Sequence, residues 1–137
     1  MSAPVLLLEV LAAGRRYYVP CAHIDGLELL RPDAPPAQDK RGRPRLARSL
    51  APLLYPSEAL ATTPQQALVV RLPRRSVALL VDRVEQLAHD LAVQPLGPLL
   101  ARSFAAPWVL GAVAADLAPV LVLDLRRIAA DLALGAL

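Results

Sequence analysis

The sequence is poor in the residues that build catalytic and metal sites. It holds one cysteine and two histidines, so an internal disulfide and a thiolate metal cluster are excluded. The six glycines are dispersed and none precedes a Lys-Ser or Lys-Thr pair, so the phosphate-binding loop of nucleotide hydrolases is absent. No set of His, Asp and Glu residues has metal-ligand spacing. We therefore predict that the chain is not an enzyme and uses no metal or cofactor.

The few candidates for side-chain chemistry have simpler structural explanations. His89 stands beside Asp90, which suits an oriented imidazole, but no serine or cysteine pattern accompanies the pair. Asp82 and Asp124 are a tempting carboxylate pair, yet Asp124 stands where a helix cap is expected and Asp82 closes an apolar strand. Cys21, at a predicted strand end, is expected to be a buried structural thiol.

Long apolar runs are also missing, although 55% of the residues are hydrophobic. Arg, Asp or Pro interrupts every candidate before the roughly 18–20 residues that a membrane span needs. The N-terminus has no basic segment and reaches Glu9 at once, unlike a signal peptide. We expect a cytoplasmic chain without membrane insertion. Its 137 residues suffice for one compact domain, or for two half-domains that share a core.

Aromatic residues are scarce, at 4% of the chain, and basic residues cluster only in the segment from Lys40 to Arg48. The formal net charge is +3. Such a cluster suits nucleic acid or an acidic partner, or is simply a solvated loop. We favour the solvated loop, because no aromatic residues are interleaved to stack on bases. A small nucleic-acid-binding β-barrel that uses the 40–48 loop is the alternative function, and it requires salt-dependent binding.

What the sequence does contain is repetition, which predicts two copies of one small unit. One series of matching residues recurs at an offset of 60 residues, and a second series recurs at an offset of 75. Because the offsets differ by 15 residues, the first copy lacks a stretch that the second copy has around residues 107–113. At an offset of 60, the pairs are Tyr17 with Val77, Val19 with Leu79, Ile24 with Val84, Asp25 with Glu85 and Leu27 with Leu87. At an offset of 75, they are Pro44 with Pro119, Leu46 with Leu121, Ser49 with Asp124, Leu50 with Leu125 and Leu53 with Ile128.

Local patterns predict many short strands and little helix. The 23–30 segment has the spacing of a helical turn that leads into a strand, and Ser49 is a candidate N-cap for a short helix. A terminal helix is predicted from Leu125 to about Leu134, capped by Asp124 and ended by Gly135. We divide the chain into a first half, 1–60, and a second half, 61–137, which carries this helix. The predicted strands are 4–10, 16–21, 67–72, 76–81, 108–114 and 119–123, and the apolar stripe of the terminal helix is Leu125, Ile128, Ala129 and Leu132.

With the strands placed, the chain resembles a CheW-like domain, the coupling module of bacterial chemosensory arrays. The resemblance runs in collinear order over nearly the whole chain, and the first half matches through residues 5–30. The first half lacks the Asn-Leu-Arg-Gly strand that is usual in the family, and Gly26 stands where the family has Glu. In the second half the matching segments are LVVRL at 68–72, VALLVDRV at 77–84, WVLG at 108–111 and PVLVLDL at 119–125.

The resemblance implies a mainly β fold of two SH3-like β-barrel subdomains, the first one reduced, with a C-terminal helix. It implies a non-catalytic adaptor for chemotaxis and signal transduction, which scaffolds a histidine kinase and a chemoreceptor or related chemosensory partners. The residues predicted to bind partners are Ile24, Leu27, Arg43, Arg45, Asp82, Val84 and Leu87. The alternative for the four apolar residues is ordinary packing in the core, and we expect core packing for at least two of them.

A first half that is short of a strand leaves unpaired backbone groups and apolar edge to be covered. We therefore predict self-association, as a homo-oligomer, or obligate partnering through the first half. Light scattering at high micromolar concentration should detect assemblies larger than one chain if the edge is covered by a second copy. A monodisperse monomer there, with no partner protein recovered from cell extract, would contradict the prediction.

Overall fold

The computed structural model describes residues 5–31, 38–39, 41–54, 65–97, 108–114 and 118–135. This part of the chain forms strands joined by short turns, one single-turn 3-10 helix at Cys21–His23 and two α-helices. The helices are α1 (Leu50–Leu54) and α2 (Leu125–Ala133). The strands are β1 (Val5–Ala12), β2 (Arg15–Pro20), β3 (Gly26–Leu30), β4 (Arg45–Ser49), β5 (Gln65–Arg71), β6 (Ser76–Val81), β7 (Arg83–Leu91), β8 (Val109–Val113) and β9 (Val120–Leu123).

Two antiparallel hairpins form the centre of the molecule, and their strands correspond to the predicted strands 4–10, 16–21, 67–72 and 76–81. β1 and β2 are joined by Ala13 and Gly14, whose φ angles of 54° and 72° give the left-handed turn that matches strand twist. β5 and β6 are joined by a turn closed by a hydrogen bond of 2.8 Å from the Leu72 N–H to the Arg75 carbonyl. These turns set the register of each hairpin.

Each hairpin is completed by strands from the other half of the chain. β1 pairs with β7 and β5 pairs with β3, both antiparallel, while β2 pairs with β9 and β6 with β4, both parallel. The result is a five-stranded sheet, ordered β7-β1-β2-β9-β8, and a four-stranded sheet, ordered β3-β5-β6-β4. The predicted division into 1–60 and 61–137 therefore does not coincide with the sheets, because each sheet takes strands from both halves.

The two sheets share one main hydrophobic core. The inward residues of both hairpins meet there, together with Trp108, α1 and the apolar stripe of α2. Every residue of β6 is buried, as the continuous apolar run of that strand predicted. From the hairpins the core takes Leu8, Val10, Ala12, Tyr17, Val19, Leu68, Val70, Val77, Leu79 and Val81.

The terminal helix closes the core as the sequence predicted. The Asp124 carboxylate accepts the Arg127 N–H at 3.1 Å and caps α2. The four residues of the predicted apolar stripe are buried. On the solvent side Arg126 reaches back to the Ala22 carbonyl at 2.6 Å, and Asp131 accepts the indole N–H of Trp108 at 2.8 Å. Side chains of α2 thus contact the first half of the chain at Ala22 and the second half at Trp108.

The mainly β architecture of two sheets and a C-terminal helix confirms the predicted fold class. The 32–44 loop between β3 and β4, and the connection between α1 and β5, lie partly outside the described residues, and β5 begins at Gln65. In the described residues of the 32–44 loop, Gln38 pairs antiparallel with Pro44. None of the helices in the described part of the chain is long and apolar enough to cross a membrane.

We predict that Asp124→Ala lowers the free energy of unfolding by about 1 kcal/mol, because the cap of α2 loses its acceptor. Urea denaturation followed by circular dichroism measures this. Asp124→Asn keeps a capping oxygen and should retain most of the stability. Equal losses for the two variants would contradict the capping role.

Candidate partner-binding surface

The four apolar residues predicted to bind partners divide into two pairs. Ile24 and Val84 are partly buried and pack against the main core, so the core alternative holds for these two. Leu27 and Leu87 are 53% and 52% exposed. Each pair stands at the same offset of 60 residues, and the two members of a pair share one environment. Residues that correspond in the sequence repeat therefore also have similar solvent exposure in the structure.

The two exposed leucines are equivalent because each hairpin pairs with a strand from the other half of the chain, which we call strand exchange. Leu27 on β3 lies opposite Leu68, and Leu87 on β7 lies opposite Leu8. Both of those partners are buried in the main core. β3 and β7 are equivalent edge strands, each the first in the strand order of its sheet. Leu27 and Leu87 therefore stand on the core-facing side of the sheets, at the rim where the core meets solvent.

A third exposed leucine, which is not in the predicted partner-binding set, lies beside Leu27 on β3. Leu29 is 68% exposed and follows Leu27 by two residues, so both point to the same face of β3. Leu29 lies opposite Gln66, and the Gln66 side chain accepts the Val84 N–H from β7. That hydrogen bond joins the four-stranded sheet to β7. We refer to Leu27, Leu29 and Leu87 as the rim leucines.

Asp82, also predicted to bind partners, holds the two hairpins together. Its N–H donates to the Leu11 carbonyl at 2.8 Å. Its carboxylate accepts the Gly14 N–H at 3.3 Å and the side-chain amide of Gln65 at 3.0 Å. The Asp82 carboxylate therefore links the turn of one hairpin to the first strand of the other, which is a structural role.

Asp25 makes the corresponding contacts just before β3. Its N–H donates to the Val69 carbonyl at 2.8 Å, and its carboxylate accepts the Arg71 N–H at 2.7 Å. Both aspartates stand just before the strand that crosses to the other hairpin. A carboxylate that accepts a backbone N–H thus fixes the start of each of the two strands that cross between the hairpins.

Of the two arginines predicted to contact partners, Arg45 is buried. Its side chain is 2% exposed and its guanidinium pairs with Glu28, whose side chain is 18% exposed. The pair spans the outer face of the four-stranded sheet, from β4 to β3. Arg45 therefore stabilises the fold rather than contacting a partner at the surface, because a buried guanidinium needs the opposite charge of Glu28. Its sequence neighbours in the basic cluster gave no sign of this.

Arg43 is exposed, on a tight turn organised by Asp39. The Asp39 carboxylate accepts the N–H groups of Arg41 and Arg43, each at 2.9 Å. These hydrogen bonds, that from Arg43 first, lower the pKa of Asp39 below its usual range. The turn therefore places the side chains of Arg41 and Arg43 near the negative charge of Asp39.

The remaining titratable groups offer no catalytic arrangement in the described part of the chain. Burial lowers the pKa of His23, whose Nδ1 atom is 3.8 Å from the Asp124 carboxylate, and burial raises the pKa of the Cys21 thiol. The side chains of His89 and Asp90 lie outside the described set. Among the described residues no three His, Cys, Asp or Glu side chains are grouped to hold a metal ion.

Comparison with known proteins agrees with this architecture. The family model of the CheW-like domain matches residues 7–133. The chain belongs to the CheW-like domain family. Among solved structures, the scaffolding protein TtCheW from Thermoanaerobacter tengcongensis is similar, with a TM-score of 0.65, 13% sequence identity and coverage of 88% of this chain and 89% of that one. At that identity the likeness concerns the fold. No curated protein sequence matches the chain.

Membership in this family gives the rim leucines a functional context. CheW-like domains are adaptor and scaffold modules of chemotaxis, and the family is generally non-catalytic. The surfaces that matter for such a module are those that contact other macromolecules. In this chain the exposed leucines of β3 and β7 form a candidate surface of that kind.

We predict that Arg45→Met destabilises the fold by up to about 3 kcal/mol, since it leaves Glu28 without its buried partner. Arg48→Met, a matched change at an exposed position of the same strand, should change the free energy of unfolding by less than about 0.5 kcal/mol. Urea denaturation of both variants provides the comparison. Equal stability of the two would show that the Glu28–Arg45 pair is dispensable.

Proposed function

We propose that the chain is a non-catalytic adaptor that scaffolds a chemosensory histidine kinase and a chemoreceptor, or related chemosensory partners. The observation that carries the proposal is the exposure of Leu27 and Leu87 at equivalent rims of one shared core. Two equivalent apolar positions on a duplicated frame suit a protein that must hold two different macromolecules at once. The absence of a catalytic constellation in the sequence supports the same conclusion.

The rim leucines provide a modest driving force, which suits reversible assembly. Fully burying a leucine side chain contributes roughly 1.5–3 kcal/mol, so covering the exposed half contributes about 1 kcal/mol for each residue. Leu27 and Leu29 at one rim, and Leu87 at the other, therefore favour binding without making it irreversible. Arg43, exposed on the Asp39 turn, is placed to attract an acidic rim of the partner and to raise the rate of association.

The nucleic-acid alternative is weaker, because the basic cluster offers few exposed cations along one path. Arg45 is buried and paired with Glu28, so it is not available to a phosphate. Asp39 adds negative charge within the same loop. A nucleic-acid site needs several free cations along one path to release counterions from phosphates. The described residues of the loop offer Arg41 and Arg43 at one end.

We predict that the double variant Leu27→Asp, Leu87→Asp loses its chemosensory partners in pull-downs from native cell extract. The wild-type chain should recover a histidine kinase or a chemoreceptor, identified by mass spectrometry. The charged variant should recover at least about tenfold less, because burying an unpaired carboxylate opposes binding. Its unfolding midpoint in urea should stay close to that of the wild type, since both positions are exposed.

Leu110→Asp is the matched control, since Leu110 is a strand leucine, 44% exposed, on β8 rather than at the rim. It should recover partners as well as the wild type does. Recovery of neither a kinase nor a receptor by the wild type, with nucleic acid retained at low salt, would replace this proposal with the alternative function.

A further inference from the structure

The two sheets correspond strand for strand except at one place. β7, β1, β2 and β9 in the five-stranded sheet occupy the positions of β3, β5, β6 and β4 in the four-stranded sheet, with the same parallel and antiparallel pairings. The five-stranded sheet continues with β8, which pairs antiparallel with β9. In the described part of the chain no strand takes that place beside β4. The outer edge of β4 is the point at which the duplication is incomplete.

Hydrogen bonds at the start of β4 show which backbone groups point outward. The Pro44 carbonyl accepts the Ser76 N–H at 3.0 Å and so faces β6. The preceding carbonyl, that of Arg43, accepts the Asp39 N–H at 2.9 Å on the other side. Since successive residues of a strand alternate in direction, the backbone groups of Ala47 point outward like those of Arg43.

A side chain occupies the place of a strand at this edge. The Ala47 carbonyl accepts a hydrogen bond from the Arg48 guanidinium at 2.9 Å. Charged side chains over an open edge are a common way to prevent uncontrolled pairing of sheets. Such a bond is local and exposed, so an incoming strand can replace it at little cost. Arg48 would then be free to pair with an acid on that strand.

The preceding segment of the chain starts such a strand but is badly suited to continue it. Gln38 forms a single antiparallel bridge with Pro44 at the beginning of the edge. The residues before Gln38 include Pro35 and Pro36, which have no N–H to donate. In a continuation of this bridge Pro35 would lie opposite Ala47, and it has no N–H to donate to the Ala47 carbonyl.

We propose that the outer edge of β4 binds an extended acidic segment of another protein, which adds antiparallel to the four-stranded sheet in the place that β8 holds in the other sheet. Charge selects the occupant, since Arg41, Arg43 and Arg48 are all exposed along this edge. A second copy of the chain paired through its own β4 would bring the same arginines together, and like charges oppose that pairing. This site is separate from the rim leucines and does not depend on the function proposed for them.

The test uses the full chain and a nine-residue peptide, Asp-Glu-Val-Leu-Gly-Ala-Val-Glu-Asp, which carries the sequence of β8 between acidic ends. A second peptide has lysine at the four acidic positions, and a third is the acidic peptide with alternate backbone amides methylated. Fluorescence anisotropy at low salt measures affinity, and amide hydrogen exchange reports on Ala47. The acidic peptide should bind at least about tenfold more tightly than the other two and should protect the Ala47 amide.

Arg48→Glu should weaken binding of the acidic peptide by about tenfold or more, while Arg74→Glu, a matched reversal in the exposed β5–β6 turn, should leave it unchanged. The methylated peptide keeps the test independent of how well any variant folds. Equal binding of all three peptides, or of none, would overturn the proposal. Dimerisation of the Arg48→Ala variant without peptide binding would also overturn the proposal. It would show that Arg48 only prevents β4 from pairing with a second copy of the chain.

Discussion

The exchange of strands between the two halves of the chain is the constraint on which the rest of the structure depends. β1 is completed by β7 and β5 by β3, so neither hairpin finds its neighbour within its own half. The exchange forces the two sheets to face each other across one core. It also sets Leu27 and Leu87 at equivalent rims, at a separation fixed by packed strands rather than by a linker. A scaffold needs such fixed spacing, and here it follows from topology.

The two copies have diverged where the exchange does not constrain them. Positions that pack the shared core, such as Ile24 and Val84, keep both their spacing and their environment. Outside the core, one sheet has gained or kept β8, whereas the other carries the Glu28–Arg45 pair and an arginine-lined edge. In the described part of the chain, a nearly symmetric rim is therefore combined with a single arginine-lined edge.

Local pattern in the sequence predicted most elements, because turns, caps and strand runs are decided by neighbours along the chain. The Asp124 cap and the continuous apolar run of β6 are examples. The exchange was not predictable in this way, since pairing partners are chosen by long-range packing. The burial of Arg45 depends on Glu28, which is distant in sequence, so the basic cluster was mistaken for uniformly exposed charge. The exposure of Leu29 follows from strand alternation with Leu27 and was within reach of the sequence.

The interleaving of the halves is tested most directly by expressing residues 1–60 and 61–137 as separate fragments. Nuclear magnetic resonance of each fragment, alone and mixed, measures whether it folds. Interleaving predicts that neither fragment alone gives the dispersed amide spectrum of a folded β protein, and that mixing the two restores the spectrum of the intact chain. A dispersed spectrum and a cooperative urea transition from the 61–137 fragment by itself would contradict it.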